Sequence, residues 1–158
     1  GNTSFAGFGV KKILQTTKSL PGYNTVSDAD VVIMRYAHVL LMIAEAENEV
    51  NGPTEKALKA INAVRTRSHQ PAIDGTGLTQ AELRERIRNE WRVETCFEGL
   101  RYFQLKRWKQ LQQVVDGAVD PAYPSYIKVV KPAFEFFPLP QGEIDKAHGV
   151  LVQDPNYQ

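Results

Sequence analysis

The sequence predicts a mainly all-α protein of two helical hairpins, tetratricopeptide-like in arrangement, with irregular terminal segments and at most short strands. Three observations carry this. Residues 34–113 repeat apolar side chains at spacings of three and four, the period of a one-faced helix. The run Asn51-Gly52-Pro53-Thr54 stops one helix and starts the next, with so short a connection that the two must lie antiparallel. Residues 114–158 hold six of the nine prolines and six of the fifteen aromatics, which suits loop with short strands. The 158 residues thus read as a single domain: an irregular lead-in over 1–33, four helices over 34–113 and a loop-rich tail over 114–158.

The first helix is expected from about Arg35 to Val50, with Ala37, Leu40, Leu41, Ala44 and Asn48 on its apolar stripe. Gly52 can take a left-handed cap, and Pro53 is tolerated only at a helix start. The second spans about Thr54 to Arg67 and turns Ala57, Leu58, Ile61 and Val64 inward. Pro71, Gly75 and Gly77 make 68–78 a loop. Thr79-Gln80-Ala81-Glu82 is a capping box that opens a third helix, with Leu83, Ile87 and Trp91 inward and an end near Glu98-Gly99. A fourth runs from about Leu100 to Val114. Equivalent starts at Arg35 and Thr79 are about 44 residues apart, against about 34 in a tetratricopeptide array, so a regular solenoid is not expected.

Composition narrows the function classes. With 42% hydrophobic and 23% charged residues, 19 basic against 18 acidic, the chain is an ordinary globular one. A net charge of +1 argues against nucleic-acid binding. Eight cations lie between Arg84 and Lys109, but four glutamates interleave with them. No apolar run is long enough to span a bilayer, and residues 1–20 lack a signal-peptide pattern. The chain begins with Gly1, as a processed or excised polypeptide would. Cys96, the single cysteine, excludes an internal disulfide and is expected to be a packed thiol.

No catalytic residue, metal site or cofactor is expected. His38, His69 and His148 lack metal-ligand spacing; His38 could neighbour Glu45 on its own helix, without a third ligand. Phosphate-binding, dinucleotide-binding and nucleophile-elbow patterns are missing. Glu90, Glu94 and Glu98 fall at i,i+4 intervals. Two such carboxylates are what a glycosidase needs, and like charges so placed must otherwise be neutralised. Arg65, Arg67, Arg86, Arg92, Arg101 and Arg107 are at hand, so an inter-helix ion-pair network is the preferred reading. Trp91, Phe97, Tyr102, Phe103 and Trp108 recur at helical spacing and should pack in the core. Tyr123, Tyr126 and Tyr157 fall in loop-like sequence. Tyr123 and Tyr126 are weak candidates for stacking on a sugar ring.

Five segments together resemble the SusD/RagB family. Met34 to Ala46 is similar to its "RYAEVLLMYAEA" signature, and Ala60 to Arg67 to its "IN-x-VR-x-R" helix. Ile87 to Trp108 follows "I-x-x-ER-x-x-E-x-x-x-EG-x-R-x-x-DL-x-RW". Phe137 to Asp145 resembles "PIPQ-x-EI", and Gln153 to Tyr157 the "QNPGY" end. Two positions depart: Gln104 stands where the family usually has Asp, and His38 where it has Glu or Asp, so a family ion pair is not expected at either.

The resemblance implies the C-terminal portion of a Bacteroidetes surface lipoprotein of the outer membrane. Such a protein captures glycans or similar nutrients without catalysis and passes them to a SusC-like TonB-dependent transporter. Its membrane association would run through a lipid anchor absent from this chain. The motif residues Arg35, Glu45, Asn62, Arg65, Glu90, Glu94, Glu98, Arg101, Arg107 and Trp108 are read as scaffold tying helix to helix, with Gly99 turning the chain. No sugar contact is carried over by motif. The rival reading is a tetratricopeptide-like protein-interaction module with no sugar ligand; the least favoured is a glycosidase using Glu90 and Glu94.

Overall fold

Apolar periodicity becomes three packed helices in the first part of the chain. The computed structural model describes Lys12, residues 32–120, 123–131 and 136–157; most of the expected lead-in over 1–33 lies outside them. The chain divides into two compact units, Gly9–Arg101 and Tyr102–Gln158 with Gly1–Phe8.

In the first unit, α1 (Tyr36–Asn51) packs on both α2 (Glu55–Arg67) and α3 (Gln80–Glu94). The inward stripes supply Leu41, Ala44, Ala57, Ile61, Val64, Leu83, Ile87 and Trp91, all buried. Burying each large aliphatic side chain contributes about 1.5–3 kcal/mol. Asn48, also on the α1 stripe, is buried and donates through Nδ2 to the Gln80 carbonyl at 3.0 Å. Gln80 returns a bond to the Asn48 carbonyl at 2.6 Å, tying the end of α1 to the start of α3.

The connections follow local chemistry. Gly52 takes φ 80° at the end of α1, which glycine adopts without a Cβ penalty. Thr54 caps α2 by accepting from the Ala57 amide at 3.3 Å. Thr79 caps α3, and Glu82 reaches back to the Thr79 amide at 2.8 Å, the expected capping box. Asn62 pins the intervening loop by exchanging two bonds with the Ile73 backbone, at 3.0 and 2.7 Å.

Two helices end earlier than their periodicity predicts. The third stops at Glu94, not near Glu98, because the Thr95 hydroxyl bonds back to the Trp91 carbonyl at 2.6 Å and Phe97 turns to φ 64°. The fourth is broken into α4 (Arg101–Arg107) and α5 (Leu111–Val115). Gln110 donates to the Leu105 carbonyl at 2.8 Å and Lys109 to the Lys106 carbonyl at 2.9 Å. With Lys109 at φ 56°, that is a Schellman stop, where the sequence carries Lys instead of the usual glycine.

In the second unit, β1 (Val119–Asp120) and β2 (Tyr123–Ile127) pair antiparallel, Val119 opposite Ile127 and Asp120 opposite Tyr123, with an irregular register between. A short helix α6 (Gln141–Lys146) and a 3-10 turn at Pro155–Tyr157 follow. The Gln153 side chain accepts from the Leu139 amide at 3.0 Å and donates to its carbonyl at 2.9 Å, so one amide imitates a paired strand. Tyr157 donates its hydroxyl to the Phe136 carbonyl at 2.8 Å.

Packing departs from expectation at three side chains. Phe97 and Phe103 are 68% and 61% exposed, and Cys96 is exposed where a packed thiol was expected. The early stop of α3 leaves Cys96 and Phe97 beyond the helix in which both were expected to lie.

Candidate functional site

The acidic run that looked like a helical stripe is a knot of charge in the first unit. Glu90 and Glu94 lie on α3, and Glu98 comes from the turn beyond it. Glu90 is buried and accepts from Arg65 Nη1 at 2.7 Å, while Arg65 Nε also donates to the Pro71 carbonyl at 2.9 Å. Glu94 accepts from Arg67 at 2.6 Å and from Arg35. Glu98 accepts from Arg35 Nη2 at 2.7 Å, His38 Nε2 at 2.7 Å and Lys12 Nζ at 2.5 Å. Arg35 also donates to the Glu94 carbonyl at 2.6 Å, so one guanidinium holds the end of α3 and the turn after it.

The electrostatics follow from this geometry. Burial pushes the Glu98 carboxyl up, but hydrogen bonds from Arg35, Lys12 and His38, with the Arg35 charge, outweigh it and hold it at about 2. Glu94 is likewise lowered: burial opposes, and Arg67 and Arg35 prevail. Arg35 is raised, because Glu98 and Glu94 together overcome its own burial. Carboxyls held ionised in this way have no proton to give a leaving group, which is the opposite of what a glycosidase acid requires.

The remaining scaffold residues divide. Glu45 accepts from Trp91 Nε1 at 3.1 Å, and His38 lies beside Trp91 with ring centroids 5.9 Å apart, bonding Glu98 and not Glu45. Asn62 works on the loop backbone, as described, and not between helices. Gly99 takes φ 75° in the turn. Arg101 has no hydrogen bond or ion pair among the described residues; burial and then the like charge of Arg92 lower it. Arg107 stacks over Trp108, 5.2 Å from the ring centre. His38 and Lys12 are the members the sequence reading missed. A histidine at a buried stripe position next to Ala37 was the available signal for the first. Lys12, 86 residues before Glu98, offered none.

A second cluster lies on the second unit. Lys106 Nζ is 5.5 Å from the centre of the Tyr102 ring, 5.9 Å from that of Phe136 and 5.6 Å from that of Phe137. Phe103 meets Tyr102 edge-on with centroids 5.5 Å apart. Phe103, Phe136 and Phe137 are exposed, so apolar ring faces surround an ammonium at the surface. Tyr123 and Tyr126 fall on β2, and their side chains lie outside the described residues. Among the described residues no group of three His, Cys, Asp or Glu side chains is placed to hold a metal, and no helix is long and apolar enough to cross a membrane.

Comparison with known proteins gives the family. A model of the SusD family matches residues 1–157. The chain belongs to the SusD family. SusD-like protein P2 of Formosa agariphila is 31% identical over 143 residues, covering 83% of this chain and 26% of that protein. SusD-like protein P25 of the same organism is 42% identical over 86 residues, 53% of this chain and 16% of that protein. Among solved structures, a SusD-like protein from Bacteroides fragilis superposes with a TM-score of 0.70 at 29% identity, covering 82% of this chain and 26% of that one. Surface glycan-binding protein A from Bacteroides thetaiotaomicron superposes with a TM-score of 0.65 at 29% identity, covering 80% and 25%. This SusD-family chain therefore spans about a quarter of the length of those solved structures and of P2.

Proposed function

We propose that this SusD-family chain is part of a glycan-capturing surface lipoprotein of the outer membrane. It would work without catalysis, beside a SusC-like TonB-dependent transporter that takes up the captured sugar. The observation that carries this reading is the family match over residues 1–157, supported by likeness to a protein named for surface glycan binding. Within the chain, the aromatic surface of Tyr102, Phe103, Phe136 and Phe137 has the chemistry for it. Exposed ring faces pack on the apolar faces of sugars, and an ammonium among them can donate to hydroxyls. The ion-pair knot of Arg35, Glu94 and Glu98 is scaffold in this reading.

Retention gels and calorimetry across a polysaccharide panel test it. We expect at least one glycan to bind, and a Phe103→Ala/Phe137→Ala double variant to lose that binding with its melting temperature unchanged. Silence across the panel overturns glycan capture. Recovery of an outer-membrane barrel in a pull-down from membranes supports the transporter partnership, whereas a soluble partner favours a protein-interaction module.

A further inference from the structure

A pocket of about 380 Å³ opens in the first unit, lined by Arg65, Ile73, Glu85, Arg86 and Asn89. Its polar lining is dominated by donors with capacity to spare. Arg65 spends Nη1 on Glu90 and Nε on the Pro71 carbonyl, which leaves Nη2 without a bond among the described residues. Asn89 spends Oδ1 on Arg92, leaving Nδ2. Arg86 makes no hydrogen bond or ion pair among the described residues; its charge is felt at Glu82, whose carboxylate is already engaged by Thr79. The single acid in the lining, Glu85, has one oxygen neutralised by Arg88 at 2.7 Å and the other left to accept. Ile73 supplies an apolar wall, and its backbone is fixed by Asn62, so the loop side of the pocket is pre-formed.

From these groups we infer that the pocket holds a carboxylate-bearing sugar residue, a uronic acid. A planar carboxylate matches the guanidinium fork of Arg86, with Arg65 Nη2 and Asn89 Nδ2 as further donors. The free oxygen of Glu85 accepts from a ring hydroxyl, and the C–H face of the sugar rests on Ile73. A neutral sugar leaves Arg86 without an anion and gains less. This inference rests on the glycan-capture reading and adds the class of sugar and a place for it.

Calorimetric titration of the whole chain with trigalacturonate and with neutral galactotriose tests it, using the wild type, Arg86→Gln and Arg86→Lys. Arg86 is exposed and makes no hydrogen bond or ion pair among the described residues, so its loss should leave the melting temperature unchanged. We expect trigalacturonate to bind at least tenfold more tightly than galactotriose, with the preference shrinking as salt rises. Arg86→Gln should cost at least tenfold toward trigalacturonate alone, and Arg86→Lys should recover part of that. Equal affinity for the two sugars, or trigalacturonate binding unchanged in Arg86→Gln, overturns the uronate pocket while glycan capture stands. Silence toward both overturns the pocket, and only silence across the whole polysaccharide panel overturns glycan capture with it.

Discussion

Glu98 shows how much one side chain can organise. It lies outside any helix, yet Arg35 from the start of α1, His38 from its first turn and distant Lys12 all donate to it. Replacing it with Gln keeps the shape and removes the charge that three donors share. Breaking a fully buried pair costs roughly 3–5 kcal/mol, and this site is partly wet, so Glu98→Gln should cost about 2–3 kcal/mol in urea unfolding at pH 7. A loss below a few tenths of a kcal/mol would show that Glu98 is not the anchor of the knot. That acidic and arginine side chains would meet was legible, because i,i+4 glutamates demand neutralisation. Which arginine meets which carboxylate was not, since that depends on where the chain turns after Thr95. His38 was read as the loss of a family ion pair, but its ring nitrogen reaches Glu98 from the position where an acid would repel it.

At the scale of elements, the hairpin and its caps were legible because each is written within four or five residues. Thr54, Thr79 with Glu82, and Gly52 do what their local chemistry dictates. The ends of the third and fourth helices were not legible, because the turns that follow them carry non-glycine residues at positive φ, Phe97 at 64° and Lys109 at 56°. His69 closes α2 in the same way at φ 56°, with Gln70 donating to the Arg65 carbonyl at 2.9 Å. An L-residue pays for the left-handed conformation through its Cβ, and glycine does not. His69→Gly should therefore stabilise by about 0.5–1 kcal/mol, net of the entropy glycine brings to the unfolded chain, read from the urea midpoint. The loop that follows hangs on one amide. Asn62→Ala removes both bonds to Ile73 and should cost about 1–3 kcal/mol, with hydrogen exchange at the Ile73 amide accelerating well before global unfolding. Exchange at Ile73 that stays slow would mean that packing of its side chain, not Asn62, holds the loop.

Across the whole molecule 19 cations balance 18 acids, and in the first unit some of that charge is spent between helices. In the first unit the balance is not a uniform solvated coat: Glu90, Glu94 and Glu98 are tied to arginines with little solvent access. This fixes how stability should respond to salt and to acid. Salt screens exposed pairs such as Lys56–Glu47, which contribute little, and reaches the partly buried knot far less. Acid acts differently. Glu94, Glu98, Glu49, Glu47, Glu82 and Asp74 all have carboxyls lowered by their hydrogen-bond partners, so each is ionised in the folded chain at pH values where the unfolded chain would protonate it. The unfolded state then binds more protons, and stability falls as pH falls. The contribution is fully present above about pH 4.5 and is lost between there and about pH 2, where Glu98 itself protonates. Glu98 alone should account for about 2 kcal/mol of the loss after allowance for solvent screening. The melting temperature should change little between low salt and about 0.5 M NaCl at pH 7, where the Debye length shrinks to a few ångströms, and drop steeply between pH 4.5 and 2. In Glu98→Gln that acid drop should be shallower by the Glu98 share. An acid limb identical in the variant, or a salt dependence as steep as the acid one, would place the stabilising charge on the exposed surface instead of in the knot.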